Sequence, residues 1–116
     1  MADTPCTPAC PVHATADILE HKWATLIVRE LLGGPQRYSA LYRALPGISH
    51  KVLAQRLQAF EAQGLLLRTV YPTVPPSTDY RLTELGSQLH TVILAMQQFG
   101  LALQAAQTVS PPAATP

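Results

Sequence analysis

At 116 residues and a formal net charge of +1, the chain fits one domain, long enough to bury a core without disulfide or metal staples. Its two cysteines are too few for a disulfide scaffold. No apolar run approaches the roughly 20 residues that span a bilayer, and no basic-then-apolar leader opens the chain, so a cytoplasmic protein without a membrane partner is expected.

Residues 1–12 (MADTPCTPACPV) are small, polar and proline-rich, and read as a flexible arm. A helical pattern starts near Thr15 with Ile18 and Leu19. It leads into Trp23, Leu26, Ile27 and Leu31 at helical spacing and stops at Gly33-Gly34-Pro35. A short helix fits Ser39 to Ala44, with Ser39 as N-cap and Leu41 and Leu45 facing inward. After the Pro46-Gly47 turn, Ser49 caps a longer helix that runs to about Gln63 and ends at Gly64. Two helices joined by so short a turn have the layout of a helix-turn-helix.

The period then changes. Leu65 to Tyr71 and Thr78 to Leu82 read as two strands, and the proline-rich stretch Pro72 to Ser77 between them makes the tip of a wing. Thr83 can cap a last helix. On it Leu85, Leu89, Val92, Met96, Phe99 and Leu103 step by 4, 3, 4, 3 and 4 residues, the spacing of a coiled-coil seam. Leu89, Val92, Met96, Phe99 and Leu103 are the candidate homodimer interface, although such a stripe can also pack on its own domain. Residues 104–116 read as a disordered tail, leaving 13–103 as the folded domain. The expected fold is mainly α with a small β-hairpin: a three-helix winged helix-turn-helix core, a wing, and a long C-terminal dimerisation helix.

Charge and polarity converge on the middle of the chain. From Arg37 to Arg81, six basic residues stand against Glu61 and Asp79, leaving that stretch at +4, a balance that suits a polyanion but also occurs in non-binding domains. On a helical wheel of the Ser49 helix, Leu53, Leu57 and Phe60 face the core, while Lys51, Gln55 and Gln58 lie opposite with His50 on one shoulder. Lysine can reach guanine acceptors or phosphate and glutamine can pair with adenine, so this face fits the major groove of double-stranded DNA; the bland alternative is a solvated polar face. Arg68 and Arg81 on the wing strands, Arg37 before the short helix and Ser49 at the cap complete the DNA-binding candidates. Tyr38 fits better as packing at the helix junction.

These residues also carry a resemblance. Lys22-Trp23, Arg29-Glu30-Leu31 and Gly34-Pro35-Gln36-Arg37-Tyr38-Ser39 are similar to the opening of the HxlR-type family of bacterial regulators. The similarity continues through Leu45-Pro46-Gly47-Ile48-Ser49, Lys51, Leu53, Arg56-Leu57, Glu61, Gly64-Leu65 and Arg68. It closes on Tyr71-Pro72, Val74-Pro75-Pro76 and Tyr80-Arg81-Leu82-Thr83-Glu84-Leu85-Gly86, covering about residues 10–100. The resemblance implies a winged-helix dimer joined through its first and last helices, with DNA read by the Ser49 helix and the wing. Thr78 before Asp79 and Ala40 depart from the family pattern, which touches local contacts and not the fold.

Cys10-Pro11 falls where many members of this family carry a cysteine, which in some of them senses oxidants, quinones or other electrophiles. The thiol needs exposure and thiolate character, which a helix N-terminus can supply. Cys6, Cys10 and His13 also form C-x3-C-x2-H, a non-standard spacing for a metal-responsive site. No nucleophile–base pair, phosphate loop or paired carboxylate is present, and the four histidines are scattered, so neither an enzyme nor a cofactor is expected. The expected function is a DNA-binding repressor acting on a pseudo-palindromic operator as a homodimer, responsive to an oxidant or electrophile through Cys10. The alternatives are a winged-helix protein-interaction module and a metal-responsive regulator.

Overall fold

A computed structural model describes residues 9–109. The expectations for the outermost residues, Cys6 among them, lie outside the described residues. The element order is α1 (Pro11–Ile18), α2 (Lys22–Leu32), β1 (Gln36–Arg37), α3 (Tyr38–Ala44), α4 (His50–Ala62), β2 (Leu66–Tyr71), β3 (Ser77–Leu82), α5 (Glu84–Ser87) and α6 (Leu89–Val109). The strands form one antiparallel sheet in the order β1-β3-β2. This is a winged helix-turn-helix.

The core sits where α2, α3 and α4 converge over the base of the sheet. Ala24, Ile27, Val28 and Leu31 of α2 repeat at helical spacing and are buried together. They meet Leu41 and Leu45 from α3 and its end, Leu53, Leu57 and Phe60 from α4, and Leu65, Leu66 and Tyr80 from the wing base. Trp23 packs beneath the turn between α3 and α4, its ring edge 3.8 Å from the position a Cβ on Gly47 would take.

Several expectations are corrected. The hairpin gains a third strand, because Gln36 and Arg37 pair with Tyr80 and Asp79. Ser39 is not a cap: α3 begins one residue earlier, with Arg37 in the cap position and no side-chain cap bond. Helix α1 starts at Pro11, ahead of the expected Thr15, since proline at the first turn forfeits no bond the helix needs. The last helix is divided at Gln88 into α5 and α6, and α6 continues past Leu103 to Val109 instead of fading at residue 104.

The seam on α6 divides as well. Leu89 faces its own core together with Ile93, which the heptad pattern did not include, and Val92 packs beside them. Leu85 is exposed on α5. Beyond Ile93 no residue through Gln107 is buried, and Leu94, Met96, Phe99, Leu101 and Leu103 present a broad apolar surface, Phe99 at 69% exposure.

The tightest join lies between the end of α4 and the start of α5. Gly64, at φ +76, ends α4 in a Schellman turn: Gly64 N–H donates to the Glu61 carbonyl and Leu65 N–H to the Phe60 carbonyl, at 3.0 and 2.9 Å. Thr83 then ties α5 to that turn. Its N–H donates to the Leu65 carbonyl at 3.0 Å, and its hydroxyl donates to the Gly64 carbonyl at 2.7 Å while accepting from Gly86 N–H at 3.1 Å. Gly86 lies directly against Leu65, so that any Cβ there would collide with the Leu65 carbonyl.

Gly86→Ala therefore forces backbone apart and is expected to cost about 1–3 kcal/mol in urea unfolding. Gly33→Ala is the control, because Gly33 is right-handed helical and a Cβ there meets its nearest atom at an ordinary 3.5 Å. Equal stability of the two variants would contradict the close approach at Gly86.

Candidate nucleic-acid interface

Helix α4 is placed by its cap, its inner face and its Schellman end. Ser49 is extended, and its hydroxyl accepts the Val52 N–H at 3.1 Å, satisfying one of the donors that a helix start leaves open. Burial of Leu53, Leu57 and Phe60 then fixes rotation about the helix axis. Lys51, Gln55 and Gln58 are left fully on the solvent side, as the wheel anticipates, with Ala54 exposed beside them and Arg56 half-buried on the flank. From Lys51 to Gln58 this face advances about 10 Å along the helix axis, close to three base-pair steps of B-DNA.

The wing flanks that face. In the β2–β3 ladder Arg68 pairs with Tyr80, so both project from the side of the sheet that meets α4. There Ala54, Gln58, Glu61, Arg68 and Tyr80 line a cleft of about 210 Å³. Arg68 Nε lies 3.7 Å from Glu61 Oε1, both side chains half in solvent. Such a pair is weak in water, on the order of 0–1 kcal/mol, and can yield to a phosphate. Burial pushes the Tyr80 phenol above its usual range, with Glu61 and Tyr38 adding to the rise and Arg68 opposing it.

The remaining cations are disposed differently. Arg81 pairs with Leu67 in the ladder and therefore projects from the opposite side of the sheet, so the structure does not bring it together with Arg68. Arg37 Nε is 3.7 Å from Asp79 Oδ1, across the β1–β3 pair. Asp79 Oδ1 is buried and has no hydrogen bond, which leaves Arg37 as its nearest compensating charge. A groove of about 600 Å³ separates Arg37, Tyr38 and Ser39 from the wing tip, Thr73 to Thr78.

His50, the first residue of α4, is held by α3. Its imidazole stacks on Tyr42 at 3.8 Å between centroids and 6° between planes. The Tyr38 hydroxyl lies 3.1 Å from His50 Nδ1 and donates to the His50 carbonyl at 3.3 Å. Burial, with a smaller contribution from Tyr42, raises the Tyr38 phenol above its usual range, so it keeps its proton at neutral pH. Tyr38 thus packs at the helix junction, as its sequence position suggests. Tyr42 went unnoticed there, although Tyr38 and Tyr42, four apart on one helix, were the available signal.

Cys10 occupies the cap position of α1 and is partly buried, its carbonyl accepting the Ala14 N–H at 3.0 Å. The proposed metal set cannot be assembled here, because Cys6 lies outside the described residues; among those described, no group of three potential ligands gathers. His13 Nδ1 is instead 3.4 Å from Asp17 Oδ2, one helical turn away. No helix among the described residues is long and apolar enough to cross a membrane.

Known proteins of the same organisation bear on this geometry. A model of the HxlR-like helix-turn-helix family matches residues 18–108. An uncharacterized HTH-type transcriptional regulator of Synechocystis is 42% identical over 91 residues, covering 78% of this chain and 67% of the relative. Among solved structures, the redox regulator HypR in its reduced form superposes with a TM-score of 0.80 at 31% identity, covering 86% of this chain and 99% of that one. The diamide-treated form of YodB from Bacillus subtilis superposes with a TM-score of 0.66 at 35% identity, covering 80% and 93%. The chain belongs to the HxlR-like helix-turn-helix family and is a transcriptional regulator of the winged-helix type.

Proposed function

We propose that this protein is a homodimeric repressor that binds a pseudo-palindromic operator in double-stranded DNA and answers oxidants or electrophiles through Cys10. The observation that carries the reading is the free face of α4, where Lys51, Gln55 and Gln58 stand clear of a helix whose other side is fully committed to the core. Lys51 supplies donors to guanine or phosphate, and the glutamines pair with adenine edges. Ser49 and His50 lie at the helix end nearest the bases. Arg68, released from Glu61, and Arg37 at the groove beside the wing tip take phosphates; Arg81 contributes only to the far side of the wing.

Dimerisation uses α1 and the second half of α6. Helix α1 buries none of its residues, and its Val12, Ala16 and Leu19 border an open apolar hollow. Among the described residues, Met96, Phe99 and Leu103 stay 47%, 69% and 44% exposed, and full burial of each side chain is worth about 1.5–3 kcal/mol. Two-fold pairing sets two copies of α4 on successive major grooves. A repressor needs no more than such occupancy. Cys10 stands at the cap position of α1, and a helix N-terminus is the kind of place that favours a thiolate. Oxidation by diamide joins two thiols, Cys10 with Cys6 or with the partner's Cys10; the thiols lose two protons and two electrons, and the diamide is reduced to the hydrazine. Similarity to HypR and to diamide-treated YodB supports this reading.

Lys51→Ala and Gln55→Ala are each expected to weaken operator binding about tenfold or more, with the melting temperature unchanged because both side chains are exposed. Selection of the same operator by both variants at wild-type affinity overturns the assignment of α4.

Phe99→Glu is expected to shift the mass in light scattering from dimer to monomer and to reduce operator affinity with it. A wild-type monomer at micromolar concentration would refute the α6 interface.

Cys10→Ser is expected to bind the operator normally and to lose its response to diamide or a quinone. An unchanged response in that variant removes Cys10 from sensing.

A further inference from the structure

An exposed histidine at a helix start ordinarily samples several rotamers, and ordering it on a ligand costs free energy. His50 is different. Tyr42 supports one face of its ring in a near-parallel stack, and the Tyr38 hydroxyl meets its Nδ1 edge. Those two constraints fix both side-chain torsions before any ligand arrives. Among the described residues no group bonds Nε2, so this is the atom the ring presents to whatever lies against the start of α4.

The hydroxyl also selects the tautomer. It lies within hydrogen-bond distance of two atoms of the same residue, the His50 carbonyl at 3.3 Å and Nδ1 at 3.1 Å. A phenol has one proton to give and lone pairs to accept with. Two separate hydrogen bonds, rather than one proton shared between two acceptors, form only if the hydroxyl donates to the carbonyl and accepts from Nδ1–H. With the proton on Nδ1, the neutral ring carries a bare lone pair on Nε2.

We infer that His50 is a fixed hydrogen-bond acceptor that reads one base in each half-site, selecting a base that presents an amino group in the major groove, and that Tyr38 and Tyr42 are its positioning residues. This rests on the DNA-binding reading above and adds to it a direction of recognition at one place. In the major groove only adenine N6 and cytosine N4 offer a donor; guanine and thymine offer acceptors, which set lone pair against lone pair. The neighbouring Lys51 is the converse, a pure donor. The start of α4 thus holds an acceptor and a donor side by side, and rigidity lets His50 discriminate without an ordering cost at binding.

Selection from a random duplex library with the wild-type protein comes first. Recovery of an operator upholds the DNA reading, and recovery of no sequence sinks that reading and this one together. Given an operator, one position per half-site is expected to demand adenine or cytosine by about five- to tenfold. His50→Ala abolishes that preference and leaves the other positions intact. Tyr38→Phe keeps the ring and the fold but loses the hydroxyl, so the imidazole can take either tautomer. The preference then collapses at the same position only, and the double variant loses nothing further. In the free protein, nitrogen-15 imidazole spectra are expected to show His50 protonated on Nδ1. Three results overturn the proposal: a demand for guanine or thymine at the position that His50→Ala alters, full preferences retained in His50→Ala, or a neutral ring protonated on Nε2. A Tyr38→Phe variant that weakens every position equally removes Tyr38 as a positioning residue.

Discussion

The Leu65 carbonyl and the Thr83 hydroxyl hold this structure to one shape. At that point three elements meet within a few residues: the end of α4, the root of β2 and the start of α5. The Leu65 N–H closes the α4 turn on Phe60, while the carbonyl of the same residue receives the Thr83 N–H from the far end of the hairpin. The wing therefore leaves and returns to the same small patch of backbone. Its angle to α4 is set by bonds of 2.7–3.1 Å and not by a flexible loop. Gly86 lets α5 approach this close, and the approach in turn decides where α6 departs.

The proposed dimer, reading DNA with two copies of α4, needs that kind of rigidity. In the proposed dimer, the separation of the two α4 helices is the sum of geometries from α4 through the junction to α6. Looseness anywhere along that route would blur half-site spacing. The opposite end of α4 is fixed by other means, through the Ser49 cap and the clasp of Tyr38 and Tyr42 on His50. Both ends of α4 are thus tied to neighbouring elements, and its inner face is locked by Leu53, Leu57 and Phe60. Only the polar side chains between those ties remain free to adapt.

What could be read from sequence divides along physical lines. Ser49, Gly64 and the Leu53–Leu57–Phe60 triad were legible because a cap, a left-handed glycine and a buried stripe each leave a local mark. Strand β1 left none: two residues have no period, and Gln36 and Arg37 become a strand only because β3 offers an unpaired edge. The split of the α6 seam was hidden for a related reason. A heptad pattern says which residues share a stripe but not how far the domain's own core extends along it, and here the core claims Leu89 and Ile93 and then ends. The run of α6 to Val109 follows from alanine and glutamine, good helix formers that read as a tail only because neither brings a large apolar side chain to continue the stripe. Strand alternation separated Arg68 from Arg81 once the register was known, and that register is a long-range fact.

The division of α6 has a consequence for stability. Leu89 and Ile93 contribute to the fold of the domain itself, whereas Phe99 and its neighbours would contribute mainly through the proposed interface. A domain of this size keeps a net stability of about 5–15 kcal/mol, so burying several such side chains at an interface is comparable to the whole reserve. In the proposed dimer, subunit folding and pairing would be linked by mass action, and apparent stability would rise with protein concentration. In that proposed dimer, a signal acting where α1 meets the partner does not have to distort α4 to release DNA. It has only to alter how the two rigid heads are seated on each other, because each head is already locked by its own junction.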